Sequence, residues 1–115
     1  MTVDERIKAA LDPFGDPVEN SVYQGKEKQY YTFNYTAHGA DYGDDTPQHE
    51  KYLVQIHLFA PLNVNITQRV KDTKRAIAAA GFTYPKTVNN TDGDGRHIVF
   101  ECETAEAAEQ WEAST

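Results

Sequence analysis

Val3, Ile7 and Leu11 recur every four residues, the spacing that stacks side chains on one helical face. Thr2, followed three residues on by Glu5, supplies a capping box at the start of that helix. Asp12-Pro13 and the run Phe14-Gly15-Asp16-Pro17 stop it. Residues 18–23 then read as a strand and Gln24-Gly25-Lys26 as a turn. Residues 29–38 alternate, with Tyr31, Phe33 and Tyr35 on one face and Thr32, Asn34 and Thr36 on the other. Such a strand has one buried and one wet face. Residues 39–49 hold Gly39, Gly43, Pro47 and three aspartates, and read as a long acidic loop. Residues 50–60 are the most apolar segment. Tyr52, Val54, Ile56 and Leu58 share one face, while Leu53, Gln55, His57 and Phe59 share the other. A strand apolar on both sides belongs in the middle of a sheet or meets a partner on its second side.

The spacing predicts a second helix over residues 66–80. Asn65 and Gln68 form a second cap pair, and Ile66, Val70 and Ile77 line one side with Ala76 and Ala80. Gly81 stands where a left-handed C-terminal cap is expected. Residues 82–88 make a weaker strand that Pro85 assigns to a sheet edge, and residues 89–95 form a turn-rich loop. Residues 96–104 form a last strand with Ile98, Phe100 and Cys102 on one face. Residues 105–111 read as a short amphipathic helix, or 104–115 as a frayed tail. The order is α-β-β-β-α-β-β. This is an α+β chain, one domain over 1–115, with two helices packed on one face of a mostly antiparallel sheet of about five strands.

Length and composition narrow the function. A chain of 115 residues has room for one core. Apolar residues are 39% and charged residues 25%, too apolar for a disordered tail and too polar for a membrane protein. Asp4, Glu5, Arg6 and Lys8 break up the first residues, so no signal peptide is expected there. Cys102 is the sole cysteine, which excludes an internal disulfide. Eighteen acidic against eleven basic side chains give a net charge of -7, which argues against tight non-specific binding of nucleic acid. The charge is uneven. Arg69, Lys71, Lys74 and Arg75 cluster on the second helix, where they read as a solvated face and a candidate docking surface for an acidic partner. Seven tyrosines, five phenylalanines and a tryptophan are many for so polar a chain, and tyrosine suits both sheets and half-wet interfaces.

Candidate chemistry is sparse. Asn90, Asp92, Asp94 and Glu101 match the spacing of a calcium loop except for asparagine in first place. Pro85 and Gly81 leave no room for the entering helix, so a hairpin loop is the expected structure, and a small α+β binding module responsive to calcium through residues 90–101 is the alternative reading of the chain. His38, His49, His57 and His97 are scattered over strands and loops and do not form a zinc pattern. Cys102 shares its strand face with Ile98 and Phe100, as a buried hydrophobe does. Phosphate loops, nucleophile elbows and paired-carboxylate helices are missing from the sequence, so no enzyme, cofactor or resident metal is expected.

Several pieces in order carry a resemblance: Ser21-Val22-Tyr23-Gln24-Gly25, the run Tyr31 to Tyr35, the run Tyr52 to Pro61, the helix ending Ala80-Gly81-Phe82, and His97 to Cys102. Together they resemble the small tail-terminator, or tail-completion, proteins of long-tailed bacteriophages and prophages, over residues 3–103. The resemblance implies a protomer that assembles into a ring, typically a hexamer, which caps the tail tube, ends its growth and joins tail to head. It implies as partners the chain itself, the tail-tube protein and the head-connector protein. DNA would pass through without specific binding, and no membrane is involved. The implied locations are the host cytoplasm during assembly and then the virion. No catalytic residue is carried over. Aromatic content and strand pattern single out Tyr30, Asp41, Tyr42, Asp44, Asp45, Leu53 and Phe59 as contacts between copies, with the Asp41–Asp45 patch facing the bore or a neighbouring ring.

Overall fold

The computed structural model describes residues 1–43 and 46–107, with backbone alone for 40–43, 46–48 and 107. Helix α1, Val3–Leu11, begins at the predicted capping box. The Glu5 amide donates to Thr2 Oγ1 (3.1 Å) and the Thr2 amide to Glu5 Oε1 (2.8 Å). Its stripe Val3, Ile7 and Leu11 is buried. A single 3-10 turn, Asp12–Phe14, leads to strand β1, Val18–Asn20. Strands β2, Tyr30–Gly43, and β3, Thr46–Ala60, form one long hairpin. Helix α2, Thr67–Ala79, precedes strands β4, Lys86–Asn89, and β5, Arg96–Ala107.

The five strands lie in the order β1-β2-β3-β5-β4. Among the described strands only the short β1–β2 pair is parallel. Both helices cover the same face. On it the ladder Phe33–Ile56–Phe100 sits between Tyr31–Leu58–Ile98 and Tyr35–Val54–Cys102. These rows pack with Val3, Ile7 and Leu11 from α1, Ile77 from α2 and Ile66 at the α2 N-cap. The faces read from strand alternation are therefore the faces observed, and β4 lies at the predicted edge.

α2 ends in a Schellman motif. Gly81 (φ +95°) donates to Ala78 O (3.1 Å) and Phe82 to Ile77 O (3.4 Å), so glycine is needed where the chain turns left-handed. Inside α2, Thr73 fills the gap in the apolar stripe and is fully buried. Its hydroxyl lies 2.8 Å from the Tyr31 hydroxyl and donates to Arg69 O (2.7 Å). A polar group at this depth is tolerated because it is bonded.

Three local expectations are corrected. Residues 39–49 are not a loop on the described backbone, because β2 runs to Gly43 and β3 starts at Thr46. The alternating ladder continues past Gly39, with Gly39↔Glu50 and Ala40↔His49 in register. Residues 104–107 are neither helix nor frayed tail. They extend β5, pairing Thr104 with Tyr52 and Ala107 with His49. Residues 108–115 lie outside the described residues. The Asn65–Gln68 cap pair does not form. Asn65 Oδ1 accepts from the Thr67 amide (3.0 Å), while Gln68 turns forward to Asp72.

Candidate functional site

The sheet has two faces and two edges, and the helices occupy one face only. Among the described residues, β1 pairs with β2 no further than Phe33. The Tyr31 amide donates toward β1, and Phe33 O accepts from Ser21 (2.8 Å). Backbone direction alternates, so Tyr35, Ala37 and Gly39 turn their N–H and C=O groups to the same outer edge. On the far side of the sheet, β4 pairs as far as Glu101, and Thr83 donates to Glu103 O (2.9 Å). Ala105 and Ala107 are next in that alternation, and no described strand meets them. Among the described residues the distal half of the β2-β3-β5 sheet thus has an uncovered edge on each side.

The helix-free face carries an aromatic row across the proximal end of the sheet. Tyr23 packs on Tyr30 (4.6 Å between ring centroids), Tyr30 stacks on Phe59 (4.9 Å), and Phe59 stacks on His97 (4.3 Å). His57 stands beside this row, with its ring 5.1 Å from His97 and its Nδ1 only 2.8 Å from His97 Nε2. Burial holds both imidazoles below the ordinary histidine range, with the neighbouring His97 adding to the effect on His57. Leu53 lies further along this face and is 41% exposed. Around it the face is charged and polar. Lys51 pairs with Glu103 (3.1 Å), and Gln55 donates to Glu101 (3.3 Å). A cleft of about 800 Å³ runs here between Leu53, Gln55, Tyr84 and Lys86.

The structure brings together some of the expected contacts and separates others. Tyr30 and Phe59 adjoin each other, while Leu53 is three rows away on the same face. Asp41 and Tyr42 are on the hairpin arm of β2, and Asp44 and Asp45 lie outside the described residues. Of the basic cluster, Arg69 is not free to dock. Its guanidinium pairs with Asp16 and lies over the Phe14 ring (4.9 Å). Lys71 and Arg75 are exposed, Lys74 is half-buried, and Arg75 also approaches Asp72 (3.4 Å).

The calcium spacing fails in three dimensions. Asp92 and Asp94 share a tight turn, the Asp94 amide donating to Asp92 Oδ1 (2.8 Å). Glu101 is paired with Lys86 in mid-strand. It lies six positions beyond Gly95 along an extended strand, roughly 20 Å at strand rise, so it cannot join Asn90, Asp92 and Asp94 around one ion. No three of His, Cys, Asp and Glu converge among the described residues. Cys102 is buried, and its thiol is pushed up to about 12 by burial, with Glu103 adding to it. That is the inert state expected of a packing cysteine. The His57–His97 pair was missed in the sequence. The clue lay in strand alternation combined with β3–β5 pairing, and only the second ingredient was lacking.

No family model matches this chain, and no curated protein matches it. A solved protein structure is similar in fold, with a TM-score of 0.59 at 9% identity over 92% of this chain and 87% of that one. This likeness extends to the fold alone. Among the described residues no helix is long and apolar enough to cross a membrane.

Proposed function

We propose that this chain is a structural subunit that works by self-association, and specifically a tail terminator or head-to-tail joining subunit of a long-tailed phage or prophage. The observation that carries the reading is the pair of uncovered edges at the distal end of the sheet. Strands β2 and β5 are each antiparallel to β3, so they run in the same direction. A neighbouring copy related by rotation about a ring axis would bring its β5 edge to this copy's β2 edge, as a parallel pair. Such a head-to-tail contact uses two different patches of one chain, and it closes into a ring when the rotation divides the circle.

A hexameric ring, with the tail-tube protein and the head connector as partners, follows from the sequence resemblance. In it the acidic Asp41–Asp45 stretch of the sequence would face the bore or the next ring, where acidic groups repel passing DNA instead of gripping it. Tyr30, Leu53 and Phe59 would serve contacts across the helix-free face. Nothing in this work requires a reactive centre. The finished ring would reside in the virion.

The test is proline at the uncovered edges. Ala37→Pro and Ala105→Pro remove only outward-facing N–H groups, so the internal ladders persist while the edges are blocked. Both variants are expected to keep the wild-type circular dichroism. They are also expected to fail to form rings or cap tail tubes in light scattering and negative-stain microscopy. Rings formed equally well by both variants would refute edge pairing. A wild-type chain that stays monomeric and leaves tail tubes uncapped would refute the function.

A further inference from the structure

The diagonal His57–His97 pair sits on neighbouring central strands, with two ring nitrogens directed at each other. We propose that this pair is a cis bidentate chelator for a divalent cation of the copper type, the rest of the coordination sphere being water. The proposal concerns the opposite end of the sheet from the uncovered edges and stands apart from ring formation.

The separation of the nitrogens selects the geometry. With metal–nitrogen bonds of about 2.0–2.1 Å, two imidazoles at a right angle lie about 2.9 Å apart, and two at a tetrahedral angle about 3.3 Å. His57 Nδ1 and His97 Nε2 are 2.8 Å apart, so right-angled tetragonal coordination needs almost no widening. Tetragonal nitrogen and oxygen sites suit Cu²⁺ and Ni²⁺, and Cu²⁺ is the tightest of the divalent series. One of the two nitrogens carries the hydrogen shared between them, so binding moves that proton to the same ring's other nitrogen, and a modest turn of each ring then brings both lone pairs to converge on a point above the sheet.

The surroundings prepare the site. Phe59 stacks on His97 at 4.3 Å and lies 6.2 Å from His57 with nearly parallel rings, which restricts both imidazoles. Thr32 and Val99, the cross-strand partners of His57 on either side, are buried. Little side-chain freedom remains to be lost on binding. Asp92, on the β4–β5 loop, places negative charge near His97, and the chain as a whole carries -7. Both imidazoles are only half-buried, so water can complete the coordination.

The probe is Cu²⁺ itself, added to the full chain in a non-coordinating buffer near neutral pH. Calorimetry is expected to show one ion per chain, and electron paramagnetic resonance an axial signal split by two nitrogens. In amide NMR spectra, paramagnetic broadening should centre on residues 57, 59, 97 and 99. His57→Gln and His97→Gln should each weaken binding about tenfold or more, since losing a ligand costs at least what losing its supporting shell does. His38→Gln should bind like wild type. Broadening confined to the N-terminus, His38 or His49 would overturn the proposal, as would undiminished affinity in both variants or no binding at all. The broadening map uses the wild-type chain, so it decides the matter even if a variant misfolds.

Discussion

Arg6 joins three elements through one side chain. Its guanidinium pairs with Glu106 (2.9 Å), donates to Ala80 O and Thr104 Oγ1 (both 3.1 Å), and lies over the Phe82 ring (4.5 Å). Charged hydrogen bonds of this kind are the stronger ones, and removing the donor leaves its acceptors unmatched. Arg6→Ala is expected to destabilise the fold by about 2 kcal/mol in denaturant titration. Tyr35 and Asp4 form a second such tie, with the tyrosine hydroxyl donating to the carboxylate. That bond lowers the Asp4 pKa, and it raises Tyr35 from 10.0 to about 12 with help from burial. The folded state therefore favours neutral Tyr35, a contribution complete below pH 10 and lost as pH rises toward about 12. On the acid side the folded state favours ionised Asp4, a contribution present above pH 3.8 and lost as pH falls below it. Tyr35→Phe should flatten the stability profile in both windows, as read by unfolding curves across pH. Neither Arg6 nor Thr73 announced its role in the sequence. A lone arginine in an amphipathic helix looks solvated, and threonine scores as polar although 66, 70, 73 and 77 complete one helical stripe.

At the scale of elements, legibility followed the source of the stabilising contacts. α1 was readable throughout because its cap and its stripe lie within eleven residues. Thr2→Ala should cost about 1 kcal/mol, the usual price of an N-cap, and show as a lowered midpoint in thermal unfolding. The central strands were readable because alternation assigns faces without knowing the partner. The distal hairpin and the end of β5 were not. Glycines, Pro47 and aspartates argued for a loop at 39–49, and alanine with glutamate argued for a helix after residue 104. Both propensities are overridden by pairing with β3, which runs from Gly43↔Thr46 at one flank to His49↔Ala107 at the other. Arg6 adds the tertiary anchor at Thr104 and Glu106. Such long-range pairings leave no local trace.

The molecule as a whole measures 54 × 25 × 23 Å, elongated by the hairpin that reaches beyond the helices. The short strands β1 and β4 pair only with the proximal parts of β2 and β5, so among the described residues the distal half is left as three strands. The candidate site is a property of this shape. The sequence pointed to Tyr30, Leu53 and Phe59 individually, but the edges and the histidine pair exist only once strand order is known. Basic side chains on α2 have also been sorted by packing, with Arg69 bound to Asp16, Lys71 exposed and Lys74 half-buried. Reversing both charges with Lys71→Glu and Lys74→Glu should leave unfolding within about 0.5 kcal/mol of wild type, as for surface positions generally. If α2 docks an acidic partner in the virion, the same change should abolish tail completion in a complementation assay. Unimpaired completion would remove α2 from the list of contact surfaces.

The bare stretch of β2 from Tyr35 to Gly43 has a consequence for the chain on its own. It contains no proline and no lysine, the gatekeepers that usually blunt exposed strands, and Asp41 is its one acidic side chain. Nothing in its composition distinguishes a correct neighbour from a misplaced one. Chains stored concentrated without their assembly partners should therefore drift toward amyloid-like fibrils, and a cell making this protein gains by using it soon after synthesis.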